Sequence, residues 1–146
     1  VTAVSRLHPD MIIHLGDCWA DAEQLHRKFP MTIMEQVPGN CDCRQDILER
    51  ILLIEGKKIL ICHGHTFNVK AGYLNLEYAA EERKVDAALF GHTHRVFYDK
   101  HNRIAYMNPG SIGQPPYGIP PSYGVLQVDG SSNTIATDVI YLEENN

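Results

Sequence analysis

The stretch Leu89-Phe90-Gly91-His92-Thr93-His94 decides how the fold of this chain is interpreted. Residues 86–90 form the short apolar run that is typical of a strand buried on both faces. Gly91 then permits a sharp turn of the backbone. In an extended segment His92 and His94 share one face, whereas a loop would aim them at two neighbouring sites. Because imidazole is the commonest nitrogen ligand of transition metals, a metal site is predicted at the end of this strand.

A second His-x-His pair, His63-Gly64-His65, follows the apolar residues 59–62. Two further elements repeat the pattern of apolar run, glycine and ligand-type side chain, namely Gly16-Asp17 after residues 11–15 and Gly39-Asn40 after Val37-Pro38. A single His-x-His pair is weak evidence, but two pairs, each following a predicted strand, are poorly explained by chance. If the elements converge, they offer a mixed oxygen and nitrogen set suited to manganese, iron, cobalt, nickel or zinc. A carboxylate can span two cations, so Asp17 is the natural bridge.

Composition limits the class of protein. The 146 residues predict one domain with a core that needs no disulfides. Thirteen basic and eighteen acidic side chains give a net charge of -5, which argues against a nucleic-acid-binding surface. The sequence shows neither a bilayer-spanning run nor a signal-peptide pattern, so we expect a cytoplasmic protein without a membrane partner. Cys41 and Cys43 are too close in sequence for a disulfide, and reduced thiols are expected.

Hydrophobic periodicity predicts alternating strands and helices. Strands are predicted over residues 11–15, 32–37, 50–54, 58–62, 86–90, 96–98, 104–107, 123–128 and 135–141, and the tail of a helix over residues 1–7. Asp21 is predicted to cap a following helix. A second helix is predicted over residues 72–85, with Leu74, Tyr78 and Val85 near its buried stripe. Turn residues predict hairpins at 55–57, 99–102 and 129–133.

Several other side chains have two interpretations. Trp19 and Tyr117 either wall a cleft or simply pack, and packing is the commoner role of a lone aromatic. His14 is expected to form a local hydrogen bond. Asp42 is expected to orient the Asn40 loop without a chemical step. The proline-rich segment 114–121 is interpreted as a rigid loop wall rather than a ligand for recognition domains.

The ordered set Gly16-Asp17, Gly39-Asn40, His63-Gly64-His65 and Gly91-His92-Thr93-His94 resembles the calcineurin-like metallophosphoesterase superfamily. Gly39-Asn40-Cys41-Asp42, Cys62-His63-Gly64-His65 and Asn108-Pro109-Gly110-Ser111 are similar to its small bacterial and archaeal phosphodiesterase branch. The resemblance covers nearly the whole chain. It implies an α/β fold, a four-layer αββα sandwich of two packed mixed sheets flanked by helices, with residues 1–146 as a single domain.

The resemblance also implies a reaction, which is hydrolysis of a small-molecule phosphodiester by a hydroxide that bridges two divalent metal ions. Mn²⁺ is the expected metal, with Ni²⁺, Fe²⁺, Co²⁺ and Zn²⁺ as alternatives. The implied metal ligands are Asp17 as the bridge, Asn40, His63 and His92 on one ion, and His94 on the other. The implied catalytic groups are Asp17, Asn40 and His65, where His65 lies near substrate oxygens and its ligation is left open. Nucleic acid is not expected as a partner, and homo-oligomer formation is left open.

The sequence departs from the superfamily pattern in two places. An Asp-x-His element at the end of the first strand is absent, so we expect about 30 residues, one βα unit with the first strand and part of the first helix, to be missing. Cys41 stands where many members carry a histidine that helps to protonate the leaving group. A neutral thiol is a poor general acid near pH 7, which predicts a preference for good leaving groups such as aryl groups.

Charge favours a diester over a monoester. If the aspartate of the missing Asp-x-His element is counted with Asp17, two divalent ions, two carboxylates and one hydroxide leave about +1, which complements a singly charged diester. One alternative is a metal-poor interaction scaffold like the metallophosphoesterase-like subunit of retromer, which shares this fold. Another is a set of core histidines without metal. His63, His92 and His94 discriminate between these hypotheses, because neither alternative requires all three.

Overall fold

A computed structural model describes residues 1–44 and 47–143. Nine strands and three helices follow one another along this part of the chain. Their order is α1 Thr2–Leu7, β1 Met11–His14, α2 Trp19–Lys28, β2 Ile33–Gln36, β3 Glu49–Ile54, β4 Lys57–Cys62, α3 Leu74–Glu82, β5 Ala87–Leu89, β6 Val96–His101, β7 Ile104–Pro109, β8 Ser122–Asp129 and β9 Thr134–Tyr141. A short 3₁₀ turn, His65–Phe67, follows β4. None of the helices is both long enough and apolar enough to cross a bilayer.

A five-stranded sheet in the order β3-β4-β5-β7-β6 forms the centre of the fold. Its inner strands β4, β5 and β7 are parallel, and β3 and β6 pair antiparallel at its edges. The inner strands are apolar because both of their faces are covered. In β4, residues Ile59 to Cys62 are completely buried. Since β4 and β5 are parallel, their carboxyl ends lie at the same edge of the sheet.

Two smaller sheets cover one face of this centre. The parallel pair β1-β2 and the antiparallel pair β8-β9 contribute Met11, Ile13, Leu126 and Val139 to a cluster built on β4, β5 and β7. The other face packs against α3 through Leu76 and Ala80, and α2 contacts β2.

The layers are therefore α3, the central sheet, the two strand pairs, and α2. This confirms the predicted α/β sandwich, with one difference. Among the described residues, the second layer consists of two strand pairs that are not hydrogen-bonded to each other.

The predicted hairpins are confirmed, with shifted bounds. The turn between β3 and β4 is the two-residue Glu55-Gly56, with φ of 50° and 79°, as tight hairpins require. The turn between β6 and β7 is Asn102-Arg103, so most of the predicted loop at 99–102 is strand.

Two details of the predicted helices are wrong. Asp21 does not cap α2; it lies in the first turn, and the N-cap is Cys18. Helix α3 is shorter than predicted, and its residues Leu74 and Tyr78 are 57% and 62% exposed. Its buried face carries Leu76, Ala79 and Ala80 instead, and the small side chain of Ala80 lets the helix lie close to the aromatic side chains of the cluster it joins.

Candidate metal centre

Four loops at the ends of strands meet at one edge of the sandwich. Asp17 follows β1 and Asn40 follows β2, which is the parallel neighbour of β1. His63 directly follows β4, and His92 follows β5, the parallel neighbour of β4. The parallel register of each pair places the two side chains of that pair at one end. Packing of the two layers then brings all four loops together.

Two glycines allow the backbones of these loops to touch. Gly16 has φ of +102°, and a Cβ atom there would lie 2.7 Å from both the Gly39 nitrogen and His63 Nδ1. A Cβ on Gly39 would collide with the carboxylate of Asp17. Only glycine therefore fits at either position.

The orientation of His63 is fixed by the β1 layer. Its Nδ1–H donates to the Leu15 carbonyl at 2.7 Å, because a carbonyl oxygen can only accept. Nε2 of the neutral ring is then an acceptor. Burial lowers the pKa of His63, which the hydrogen bond to Leu15 opposes. The Nε2 lone pair is therefore available at neutral pH.

The Nε2 atom of His63 faces three other polar atoms. It lies 3.1 Å from Asn40 Oδ1, 3.2 Å from His92 Nδ1 and 3.4 Å from Asp17 Oδ2. Burial, and then the neighbouring His63 and Lys70, lower the pKa of His92 to about 4, so this ring is also neutral at pH 7. A proton on His92 Nδ1 would satisfy one contact. The oxygens Asn40 Oδ1 and Asp17 Oδ2 would still face the lone pair of His63 Nε2.

Such a cluster of acceptors fits a cation. Ligands bound to one ion at about 2.0–2.2 Å lie roughly 2.9–3.5 Å apart, whether the geometry is octahedral or tetrahedral. The three measured separations, 3.1, 3.2 and 3.4 Å, fall in this range. All three are measured from His63 Nε2, and among the described residues no group of three His, Cys, Asp or Glu side chains is already arranged to hold a metal ion. With the Asn40 amide oxygen included, the set has the mixed oxygen and nitrogen chemistry that a divalent transition metal accepts.

Asp17 lies between two histidines. Its Oδ2 is 3.4 Å from His63 Nε2 and 3.9 Å from His94 Nε2. Its Oδ1 accepts a hydrogen bond from the Cys41 backbone nitrogen at 3.2 Å. The same carboxylate raises the pKa of the Cys41 thiol, which remains protonated at neutral pH. The bridging role of Asp17 stays a prediction.

The loop that carries His92 and His94 is held in an unusual conformation. Both residues have positive φ, 67° and 58°, a region that side chains other than glycine rarely adopt. Such backbone conformations persist only where the surroundings impose them, and they concentrate at functional sites. The two imidazoles are therefore aimed separately rather than along one extended face.

Comparison with known proteins identifies the family. The profile of the calcineurin-like phosphoesterase superfamily domain matches residues 1–131. The chain belongs to this superfamily. A probable metallophosphoesterase of Bacillus subtilis, YsnB, is 35% identical over 128 residues, covering 86% of this chain and 73% of that protein. The phosphodiesterase YfcE of Escherichia coli is 30% identical over 114 residues, covering 78% of this chain and 50% of YfcE. The chain thus spans about half the length of YfcE.

Solved structures agree with this membership. A conserved protein of Streptococcus pneumoniae described as a predicted phosphoesterase has a TM-score of 0.79 at 25% identity, over 96% of this chain and 79% of its own. Zinc-complexed Vps29 of Entamoeba histolytica has a TM-score of 0.70 at 19% identity, over 96% and 88%. The second likeness shows the fold alone. Membership in a superfamily whose relatives are named metallophosphoesterases implies divalent metal ions as cofactors.

His65 stands apart from the acceptor cluster of this phosphoesterase-superfamily chain. Its ring centroid is 5.3 Å from that of His63 and 6.1 Å from that of His92. Its Nδ1 is buried and has no hydrogen-bond partner in the part of the chain that the structure describes. The predicted catalytic role of His65 stays a prediction.

Asp42 and Asn108 make hydrogen bonds that position the phosphoesterase site and that the sequence did not predict in full. Asp42 accepts hydrogen bonds from the backbone nitrogens of Gly39, at 2.7 Å, and Trp19, at 2.8 Å. Asn108 is completely buried. Its Nδ2 donates to the Gly91 carbonyl and to Thr93 Oγ1, both at 2.9 Å. Asn108 thereby holds the histidine loop from β7.

The sequence contains a signal for Asn108. It is a polar residue at the end of the apolar run 104–107, directly before Pro109-Gly110. A buried amide in such a place needs partners. The neighbouring loop supplies them.

The remaining predicted side chains lie as follows. The Gly16 nitrogen donates to His14 Nδ1 at 3.3 Å, so the local role of His14 is confirmed. Tyr117 is fully exposed and Trp19 is half-buried. All four cysteines are free thiols.

Proposed function

We propose that the acceptor cluster holds divalent metal ions and that the protein hydrolyses phosphodiesters. The main evidence is that His63 Nε2 lies within 3.4 Å of both Asp17 Oδ2 and Asn40 Oδ1. Without a cation these atoms repel one another in a partly buried site, where such repulsion is stronger than in water. The phosphodiesterase YfcE, 30% identical to this chain, supports the reaction class.

Each ligand has a proposed place. Asn40, His63 and His92 hold one ion together with Asp17, and His94 helps to hold a second ion that Asp17 shares. The 3.4 Å distance from Asp17 Oδ2 to His63 Nε2 supports the first ion. His94 Nε2 is 3.9 Å from the same oxygen, beyond the range for two ligands of one ion, so its place on the second ion rests on the family resemblance. When bound, a pair of divalent ions supplies a nucleophile at neutral pH and neutralises phosphoryl oxygens. Mn²⁺ suits the mixed donors, as do the other transition metals named above.

The chain's own residues organise this site. The Leu15 carbonyl fixes the His63 tautomer, a role that outer partners of metal-bound histidines commonly have. Asp42 holds the Asn40 loop against the start of α2. Cys41, whose thiol stays protonated, is a weak proton donor. A phosphodiester with a good leaving group, which departs without a proton, is the proposed substrate class.

The interaction-scaffold alternative is less well supported. Vps29 proteins share the fold at 17–20% identity, which carries no functional argument. A scaffold gains nothing from acceptors that face one another. It would tolerate their replacement by apolar or hydrogen-bonding pairs, which cost less to bury.

The test compares one ligand variant with one matched control. His63→Gln removes a central nitrogen, while His101→Gln removes an exposed imidazole at the end of β6. We expect the unaltered protein and His101→Gln to bind Mn²⁺ alike in isothermal titration calorimetry, and His63→Gln to bind about 100-fold more weakly. Equal Mn²⁺ binding by both variants would contradict the proposed site.

The reaction is tested with bis(4-nitrophenyl) phosphate and 4-nitrophenyl phosphate over several divalent ions. We expect the diester to be hydrolysed faster, with activity lost in His63→Gln and kept in His101→Gln. If the protein binds metal but hydrolyses neither ester, the proposed metal site stands and the proposed reaction fails.

A further inference from the structure

Strand β3 lies at one edge of the central sheet, and no other strand that the structure describes runs along its outer side. Its inner side pairs with β4 in an unbroken antiparallel register. Ile54 and Lys57 close this hairpin around a two-residue turn, so they form a hydrogen-bonded pair. Since hydrogen-bonded and non-hydrogen-bonded pairs alternate along the ladder, the backbone N–H and C=O groups of Glu49, Ile51 and Leu53 point outward.

The side chains of these three outward residues share one face of the sheet. Ile51 lies opposite Leu60, which belongs to the cluster packed against α3, so this is the α3 side. Ile51 is nevertheless 47% exposed and Leu53 73% exposed, whereas Leu52 on the other face is buried. Two apolar side chains and a row of outward-pointing backbone groups therefore lie along the same exposed edge.

Strand β3 lacks the features by which proteins protect an exposed edge. Residues 49–54 contain neither a proline nor a bulge, and an unpaired charge is the other common safeguard. Both charged side chains of the strand are paired within the chain, Glu49 with Arg83 at 2.7 Å and Arg50 with Glu35 at 2.6 Å. The edge is therefore open to pairing with another strand.

We propose that two copies of this protein pair through β3, antiparallel and about a twofold axis at Ile51. In this register Ile51 faces Ile51 of the second copy, and Glu49 faces Leu53 of the second copy. All three outward residues then form hydrogen-bonded pairs, whereas a register centred on Leu52 would pair only Ile51 and Leu53. The two central sheets become one continuous sheet. None of these residues belongs to the acceptor cluster, so the inference is independent of the proposed function.

The same register brings opposite charges together, which favours a second copy as the partner. Lys58 lies beside Leu53 on the exposed face, and it makes no ion pair with any residue that the structure describes. Its side chain can extend over Leu53 toward Glu49 of the second copy. Arg83 occupies one oxygen of that carboxylate, which is 36% exposed and accepts further hydrogen bonds. Twofold symmetry repeats the contact, because each copy supplies one lysine and one glutamate.

The pairing is tested first on the unaltered protein by amide exchange with solvent, followed by NMR. A single strand pair makes a small interface, so we expect a weak dimer with a dissociation constant of about 10–100 µM. Between about 20 µM and about 1 mM protein, the amides of Glu49, Ile51 and Leu53 should slow about fourfold. Those of Arg50 and Leu52, which bond to β4, should change little. Equal exchange of the three outward amides at both concentrations would overturn the inference.

Sedimentation velocity then locates the interface. Ile51→Lys places two like charges on the twofold axis and should leave a monomer at about 1 mM, where the unaltered protein is mostly dimer. Ile33→Lys is the matched control, because Ile33 is an exposed apolar residue, 56% accessible, on the short strand β2, and it should keep the dimer. Circular dichroism confirms that both variants fold. A monomeric unaltered protein, or a dimer that persists in Ile51→Lys, contradicts pairing through β3.

A charge exchange tests the register itself. Glu49→Lys and Lys58→Glu each place like charges opposite one another in their own dimers, whereas a mixture of the two variants restores opposite charges at both contacts. We expect the mixture to associate about tenfold more tightly than either variant alone. A mixture that associates no more tightly would refute the register.

A second comparison covers the case in which Glu49→Lys, which loses its contact with Arg83, does not fold. Lys58→Glu is then compared with Lys100→Glu, an exposed lysine on the opposite edge strand β6. Lys58→Glu should weaken the dimer severalfold and Lys100→Glu should leave it unchanged. Equal effects of the two substitutions would contradict the contact between Lys58 and Glu49.

Discussion

The carboxylate of Asp42 accepts a hydrogen bond from the backbone nitrogen of Trp19, the first residue of α2, at 2.8 Å. Helix α2 has no side-chain cap of its own at Cys18. A residue 23 positions further along the chain therefore supplies the cap. Since the other oxygen of Asp42 accepts from the Gly39 nitrogen, one side chain ties the start of a helix to the loop of Asn40.

Replacing Asp42 should loosen both elements together. We expect Asp42→Ala to lower the free energy of unfolding by about 2 kcal/mol, because two backbone donors lose a charged acceptor. Asp42→Asn keeps one oxygen acceptor and should lose roughly half as much. Urea unfolding followed by circular dichroism measures both. Asp138→Ala, at an exposed strand position, is the control, and a loss equal to that of Asp42→Ala would contradict the tie.

Asn108 should matter more than an exposed asparagine. Asn108→Ala leaves the Gly91 carbonyl without its donor and opens a buried gap, so we expect a loss of about 2–4 kcal/mol in unfolding free energy. Asn75, whose Nδ2 makes one long 3.4 Å contact at the surface, should cost less than about 0.5 kcal/mol when changed to alanine. Weaker Mn²⁺ binding by Asn108→Ala is also expected, because the His92 loop loses its support. Unchanged stability in Asn108→Ala would refute this role.

Alanine substitutions at three glycines distinguish the cost of a steric conflict from the cost of backbone strain. Gly16 combines φ of +102° with a Cβ conflict at 2.7 Å, Gly56 has φ of +79° in open space, and Gly113 has neither. We expect alanine to cost more than about 3 kcal/mol at Gly16, about 1 kcal/mol at Gly56, and nothing or a small gain at Gly113. Thermal unfolding of the three variants gives this order. Any other order would show that the loop at Gly16 can rearrange.

The four thiols should differ in reactivity. Burial raises the pKa of Cys62 to about 12, whereas Cys18, Cys41 and Cys43 are exposed. At pH 8 we expect the three exposed thiols to react with Ellman's reagent in the native protein and the fourth only after unfolding, because the thiolate is the reactive form. Cys18 and Cys41 should react slowly, because burial and the nearby Asp17 respectively raise their pKa values. Cys62→Ala should leave the native count at three. Four rapid reactions in the native protein would mean that β4 is accessible.

The parts of the fold that sequence reasoning predicted are those marked locally. Glu55-Gly56 between two β-rich runs predicts its hairpin, and Gly91 after an apolar run marks the end of β5. These signals work because turn geometry depends on a few adjacent residues.

The sequence predictions are wrong or incomplete where contacts with distant segments determine the structure. The buried face of α3 is set by the central sheet, which selects Ala79 and Ala80 over the larger Leu74 and Tyr78. The cap on α2 comes from Asp42 rather than from the nearer Asp21. The contacts of Asn108 with the Gly91–Thr93 loop join residues 15 and 17 positions apart. No pattern within one element contains this information.

The hydrogen bond between His63 Nδ1 and the Leu15 carbonyl joins the central sheet to the β1-β2 pair. Asp17 and Asn40 belong to one of these layers, and His63 and His92 belong to the other. An ion bound by all four is therefore a cross-link between two halves of the core. Its binding energy becomes folding energy, and the melting temperature should rise with the concentration of free metal and fall on adding a chelator.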